Sequence, residues 1–335
     1  METYINLKEK INEEKLKIIG KEIKNGKLVI FPTETVYGIG TNGLSSEAVK
    51  KVYMAKGRDF KNPINLLVGN IEIVNKIAKD ISPLEYKLMQ AFFPGPFTLI
   101  LKKKEIVPNI VTGNSDTVGV RMPDNLIAQK LLEYADVPIA APSANISGKL
   151  SGTKSEDIFE DFKNTVDYII DGGQSDLGME STIVKVIDGI PHILRPGYIT
   201  PEQIEAIAGN VIIESQNLPS NNLKHYQINS KAILVYGKSE TKVAFKIKEI
   251  AQNYTFPVII TYSENISNYT NLNTIELGSK HNLEEISKNM FIKLRQAELL
   301  NPDIIIIEGI KKEGIGLAIM NRFINVCNNN FIIVN

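Results

Sequence analysis

The sequence predicts an α/β protein built in two parts. Three observations carry that reading. Short apolar runs rich in branched residues alternate with amphipathic stretches at helical spacing along all 335 residues. The alternation breaks once, over residues 214–230, ESQNLPSNNLKHYQINS, which are polar, asparagine-rich and without periodicity. Hydrophobic residues make up 43% and charged residues 23%, enough apolar material for two ordinary cores. The expected organisation is a catalytic-sized domain over 1–213, a linker over 214–230, and a small Rossmann-like parallel α/β domain over 231–335.

The elements follow in order. Residues 12–25 set Leu16, Ile18, Ile19 and Ile23 among lysines and glutamates, an amphipathic helix. Leu28–Phe31 is a buried strand that Pro32 ends, since proline cannot donate to a ladder. Thr33, Glu34, Thr35, Tyr37, Gly38 and Gly40 then read as a polar, glycine-bearing turn just past the strand. Ser45 caps a helix carrying Ala48, Val49, Val52 and Tyr53, and Gly57 closes it. Ile64–Val68 is a strand and Ile71–Lys79 a helix. Ser82 to Glu85 is a capping box with Pro83 at the first helical position, so a helix runs to about Phe93. Pro94-Gly95-Pro96 breaks it before the strand Phe97–Leu101. Thr117–Met122 is a strand, Asn125–Tyr134 a helix, and Val137–Ala141 a strand running into Pro142-Ser143-Ala144-Asn145. The helix Ser155–Phe162 precedes the strand Val166–Ile170. Ser181–Ile187 and His192–Arg195 pair around Asp188-Gly189, and Thr200 opens a second capping box whose helix ends at Gly209. After the linker come strands at Ala232–Tyr236, Val258–Tyr262, Thr274–Leu277, Ile304–Ile307 and Phe331–Val334. Helices at Lys242–Gln252, Leu283–Leu300 and Gly316–Val326 interleave with them.

Several function classes are disfavoured at once. Formal net charge is zero, so a protein living on nonspecific nucleic-acid binding is not expected. The single cysteine, Cys327, allows no disulfide within the chain and suits a reducing cytoplasm. His192, His225 and His281 lie far apart, against a His/Cys zinc site. The opening METYINLKEKINEEK has no apolar core for a signal peptide, and no apolar run approaches the roughly 18 residues that span a membrane. There is no G-x-x-x-x-G-K-[ST], no G-x-S-x-G and no G-x-G-x-x-G.

What remains is a scatter of polar groups at strand ends: Thr33, Thr35, Arg121, Ser143, Asn145, Ser181 and Arg195. That is where ligands bind in open α/β sheets. No acid pair and no histidine belongs to the set, and its donors suit phosphate or carboxylate. Each group also has an ordinary reading. Lys56 and Arg58 could simply offset a helix dipole. Ser143-Ala144-Asn145 could be an N-cap, and Arg195-Pro196-Gly197 a surface turn. Arg121 is harder to dismiss, because an arginine among Val118, Val120 and Met122 needs a partner if buried.

The motifs PTETVYGIG (32–40), KGR (56–58), NP (62–63), FPGPFT (93–98), VGVRMP (118–123), PSAN (142–145), ESTIV (180–184) and LRPG (194–197) stand in an order and spacing that resembles the YrdC-type threonylcarbamoyl-AMP synthases over residues 12–212. The linker with His225-Tyr226 and the small domain resemble the long, two-domain form. The resemblance implies a twisted open α/β domain with a large cationic cavity. It implies that L-threonine, bicarbonate (or carbon dioxide) and ATP give L-threonylcarbamoyl-adenylate and pyrophosphate, with Mg²⁺ accompanying ATP. A threonylcarbamoyl-transferase complex then acts on tRNA; neither a membrane nor stable direct nucleic-acid binding is expected. It places Thr35, Arg121, Ser181 and the backbone of Ala141 on threonine. It places Lys56, Arg58, Asn62, Thr117, Ser143, Asn145, Ser151, Arg195 and Tyr226 on the nucleotide, with Lys56 and Arg58 neutralising phosphate charge. Two departures stand out. Leu67 occupies a position where many relatives have histidine, and Pro219-Ser220-Asn221 and Ile228 replace the usual linker pattern. The alternative enzyme reading is the related domain of hydrogenase-maturation carbamoyltransferases, whose acylphosphatase and zinc-finger modules this sequence lacks.

Overall fold

A computed structural model describes residues 3–214 and 226–335. His225 and most of the expected linker lie outside the described residues. Two compact units divide the chain. The first runs through Ser147 and resumes at Ser151; the second takes Gly148–Leu150 and the described chain from Tyr226 onward, so the last residues of the expected linker belong to it.

In the first unit a 12-stranded mixed sheet forms the frame. Its spatial order is Tyr4–Asn6, Tyr168–Asp171, Val29–Phe31, Gly38–Asn42, Ile139–Ala140, Leu66–Leu67, Thr117–Arg121, Phe97–Lys103, Thr182–Ile187, Ile190–Arg195 and Ile212–Ile213, with Ala78–Lys79 paired to the side of Phe97–Lys103. Gly38 and Gly40 correct the sequence reading. They belong to a strand antiparallel to Val29–Phe31, not to a turn. A Cβ on Gly40 would lie 2.7 Å from the Ile139 side chain, so glycine is there for packing.

Helices end where their capping residues predict. Ser45 accepts from the Ala48 N–H, and Gly57, at φ 59°, closes the helix Ser46–Lys56 in the left-handed region. Both capping boxes form, at Ser82/Glu85 and Thr200/Gln203. Lys56 thereby becomes the last residue of a helix whose apolar face, Val49, Val52 and Tyr53, is in the core. Burying that face ties the lysine to the sheet, at roughly 1.5–3 kcal/mol per large apolar side chain.

The second unit is a five-stranded parallel sheet in the order Asn273–Glu276, Pro257–Thr261, Ile304–Glu308, Ala232–Gly237, Phe331–Val334. The helices Glu240–Ala251, Leu283–Leu299 and Ile315–Val326 supply the connections. The runs Val258–Ile260 and Ile304–Ile307 are buried throughout, as strands covered on both faces must be.

Candidate active site

The strand Thr117–Arg121 organises one end of the site. Period-two alternation puts Val118 and Val120 into the core and Thr117, Gly119 and Arg121 on the opposite face. Leu67 pairs with Arg121 across the ladder, so Asn65 and Leu67 share that face. A Cβ on Gly119 would meet the Asn65 Oδ1 at 2.2 Å, so this glycine makes room for the Asn65 amide. Asn65 also accepts, through its carbonyl, the N–H of Ala141 at 3.1 Å.

Arg121 is buried. Its Nε faces the Gly95 carbonyl at 3.4 Å and its Nη2 lies 3.5 Å from Thr33 Oγ1. The same Nη2 stands 2.7 Å from Glu34 Oε1, with side-chain exposures of only 9% and 6%. The threonine pair is set by the turn after Pro32: Thr33 Oγ1 and Thr35 Oγ1 are 2.9 Å apart, and Thr33 donates to the Val36 carbonyl at 2.6 Å. Thr33, Glu34, Thr35 and Arg121 therefore form one buried polar cluster.

A second cluster adjoins it through Gly95-Pro96, since Thr182 N–H donates to the Pro96 carbonyl. Ser181 Oγ lies 2.8 Å from Thr98 Oγ1. Arg195 donates through Nη2 to the Ser181 carbonyl at 2.8 Å and reaches its hydroxyl at 3.3 Å. The Arg195-Pro196-Gly197 turn backs onto Glu180–Thr182 so closely that a Cβ on Gly197 would fall 2.3 Å from Thr182 N. Glu180 accepts from Ser151 Oγ at 2.6 Å.

The third cluster is the helix end. Lys56 is 1% exposed, and its Nζ donates to the carbonyls of Ser143 and Asn145, the latter at 2.5 Å, and faces Asn145 Oδ1 at 3.4 Å. Ser143 Oγ in turn donates to Asn145 Oδ1 at 2.6 Å. All three ammonium donors are thus directed into the protein, and Lys56 braces the Ser143–Asn145 turn from behind. Burial pushes the Lys56 ammonium well below the ordinary lysine range, and the Arg58 charge adds to the push. Arg58 donates to the carbonyls of Asn62 and Pro63. Burial lowers its pKa, Tyr53 opposes that, and the like charge of Arg195 reinforces it. Arg58 is therefore within electrostatic reach of both Lys56 and Arg195, an arrangement an anionic ligand stabilises.

Thr117 stands apart, at the far end of its strand, with its hydroxyl 2.9 Å from that of Ser115. Tyr226 belongs to the second unit, where its ring stacks on Phe291 at 5.4 Å and Arg322 lies over it at 5.9 Å. Sequence reasoning assigned no role to Asn65, Thr98, Glu180 or Glu34. The isolated glycine in TVGVR was the one signal that could have pointed to Asn65. A hollow of about 530 Å³ opens elsewhere, at the Lys102–Lys104 strand end. Its lysines are engaged by Asp80, Asn109 and the Asn75 carbonyl, as at a solvated strand end.

A family model described as telomere recombination (Sua5, yciO, yrdC) matches residues 21–197, and another, the C-terminal domain of threonylcarbamoyl-AMP synthase, matches 199–324. A threonylcarbamoyl-AMP synthase of Pyrococcus abyssi is 40% identical over 331 residues, 96% of each chain. The chain belongs to the threonylcarbamoyl-AMP synthase family. The Bacillus subtilis member is 36% identical, covering 90% of this chain and 89% of that protein. The crystal structure of Pyrococcus abyssi Sua5 complexed with L-threonine superposes with a TM-score of 0.92 at 39% identity, over 99% of both chains. The two family models together reach across both units.

Proposed function

We propose that this protein is an L-threonylcarbamoyl-adenylate synthase, an adenylyl-transferring enzyme. It joins L-threonine, bicarbonate (or carbon dioxide) and ATP into L-threonylcarbamoyl-AMP, releasing pyrophosphate, as the first step of tRNA threonylcarbamoyladenosine synthesis. The observation that carries the reading is the adjacency of two unlike pockets. Arg121, Thr33 and Thr35 form a buried polar cluster with donors for a carboxylate, and Arg58, flanked electrostatically by Lys56 and Arg195, forms a cationic one.

Arg121 takes the threonine carboxylate, with Thr35, Ser181 and the Ala141 backbone completing that pocket. Ser143, Asn145, Arg58, Asn62, Arg195 and Ser151 hold the nucleotide. Lys56 acts through the turn it braces. The reaction needs no side-chain nucleophile. A carbamate oxygen attacks the α-phosphorus, and the site contributes alignment, which can supply about 7–11 kcal/mol, and charge cancellation. Mg²⁺ enters with ATP. An ion arriving with ATP would be held chiefly by phosphate oxygens and water.

No helix among the described residues is long and apolar enough to cross a membrane. The reading places the enzyme in the cytoplasm, passing its product to a threonylcarbamoyl-transferase complex that acts on tRNA. Pyrophosphate release tests it: release must require ATP, L-threonine and bicarbonate together. Release without threonine, or RNA binding without turnover, refutes it.

A further inference from the structure

Glu34 is the one charged residue of the first cluster that the proposed reaction leaves without a task. It is 5% exposed, and neither carboxylate oxygen accepts a hydrogen bond. Its Oε1 lies 2.7 Å from Arg121 Nη2, an ion pair whose geometry does not make a hydrogen bond. A buried carboxylate with idle lone pairs is costly, since leaving a buried acceptor unsatisfied forfeits about 1–3 kcal/mol or more for a charged group. The backbone holds it there nonetheless: the Glu34 carbonyl accepts the Leu177 N–H at 2.8 Å, and Thr33 and Thr35 on either side are locked to each other.

An arginine and a glutamate side by side in a buried pocket present the inverse of an α-amino acid. That molecule carries a carboxylate and an ammonium on one carbon. A carboxylate that takes the Arg121 guanidinium sets its own ammonium beside whatever acid neighbours that arginine, and here it is Glu34. We propose that Glu34 is the amine-recognising residue of the threonine pocket and the proton acceptor when the amine becomes a carbamate. The inference rests on the synthase reading above and deepens it.

The step balances. The ammonium and bicarbonate give a carbamate, water and one proton: R–NH₃⁺ + HCO₃⁻ → R–NH–COO⁻ + H₂O + H⁺. The nitrogen–carbon bond forms as the carbon–hydroxyl bond breaks. Of the two protons the nitrogen sheds, one leaves with the hydroxyl as water, and the other passes to the Glu34 carboxylate. Before substrate binds, Glu34 balances the Arg121 charge. Afterwards the substrate carboxylate does so, which frees Glu34 to serve as a base.

Calorimetry on the full chain tests this with three ligands: L-threonine, 3-hydroxybutyrate, which lacks the amine, and 2-amino-1,3-butanediol, which lacks the carboxylate. Wild-type protein is expected to bind 3-hydroxybutyrate at least about 100-fold more weakly than threonine, because it leaves Glu34 unmatched beside a second carboxylate. Glu34→Gln is expected to weaken threonine at least about 10-fold while 3-hydroxybutyrate holds or gains, and to lower kcat at saturating threonine by about 100-fold or more, the usual range for a lost general base. Glu34→Asp should restore part of the turnover. Equal wild-type affinity for threonine and 3-hydroxybutyrate overturns the proposal even if the variants do not fold. So does a Glu34→Gln protein that binds both ligands as wild type does, or weakens both alike. If wild-type protein binds no threonine at all, the synthase reading itself falls, and the proposal with it.

Discussion

Replacing Arg121 by methionine removes the guanidinium from a pocket it shares with a carboxylate. Arg121 is 7% and Glu34 5% exposed, so solvent cannot take over the screening. Breaking a buried pair from one side leaves an uncompensated charge and costs about 3–5 kcal/mol. For a unit of this size each kcal/mol moves the melting temperature by about 2–4 °C, which gives a fall of about 6–20 °C. The same change deletes the donors to Gly95 and Thr33, but those contacts are long, at 3.4 and 3.5 Å, and add little. Adding Glu34→Gln removes the stranded charge, so the double variant should regain most of the loss. Thermal and urea unfolding of the four proteins in the cycle measure this, and threonine should raise the melting temperature of wild type alone. A single variant that loses under about 1 kcal/mol, or a double variant no more stable than the single, would show that the two groups are not a buried pair.

The helix-end lysine gives a prediction in pH. The Lys56 pKa is depressed below its unfolded value of 10.5 by burial first, so the unfolded chain binds the extra proton in between. Stability relative to Lys56→Met must therefore rise as pH climbs through that window toward 10.5, and a flat or falling difference in unfolding free energy would contradict the burial. Gly197→Ala puts a Cβ 2.3 Å from Thr182 N and 2.6 Å from the Glu180 carbonyl, both backbone. It should cost about 1–3 kcal/mol and misplace Ser181, read as a lower melting temperature together with weaker threonine binding. Cys327 is buried with its thiol pushed up to about 12, so a thiol-specific dye should label it only at the rate of unfolding.

Much of this was legible in the sequence because local chemistry and tertiary fate agree. Ser45, Ser82, Thr200, Gly57 and Gly209 cap helices with their own side chains or backbone freedom, and every such boundary lies where the residue type places it. Strands covered on both faces, such as Ile304–Glu308, announce themselves by unbroken apolar runs. The failures come where a partner decides. Gly38 and Gly40 look like turn residues until Phe31 and Ala141 are packed against both and Ile139 against Gly40. Leu66–Leu67 and Ile139–Ala140 lie inside the predicted strands Ile64–Val68 and Val137–Ala141, but the ladders are only two residues long because partners, not the apolar run, set their ends. Gly148–Leu150 joins the second unit through contacts such as the Gln227 N–H to the Gly148 carbonyl, which nothing in its own composition signals. In the site, side-chain orientation depends on partners that residue type does not name. Lys56 was expected to face phosphate, yet its protons go to Ser143 and Asn145. Glu34 read as one polar residue among four, and only the 2.7 Å approach of Arg121 sets it apart.

The most direct test of the central claim is the mass of the product formed from ATP, L-threonine and ¹³C-labelled bicarbonate. A threonine-containing adenylate that carries the heavy carbon, appearing with one pyrophosphate per molecule, is the result expected. Pyrophosphate released with an adenylate that lacks that carbon, or with no threonine in it, would contradict the account.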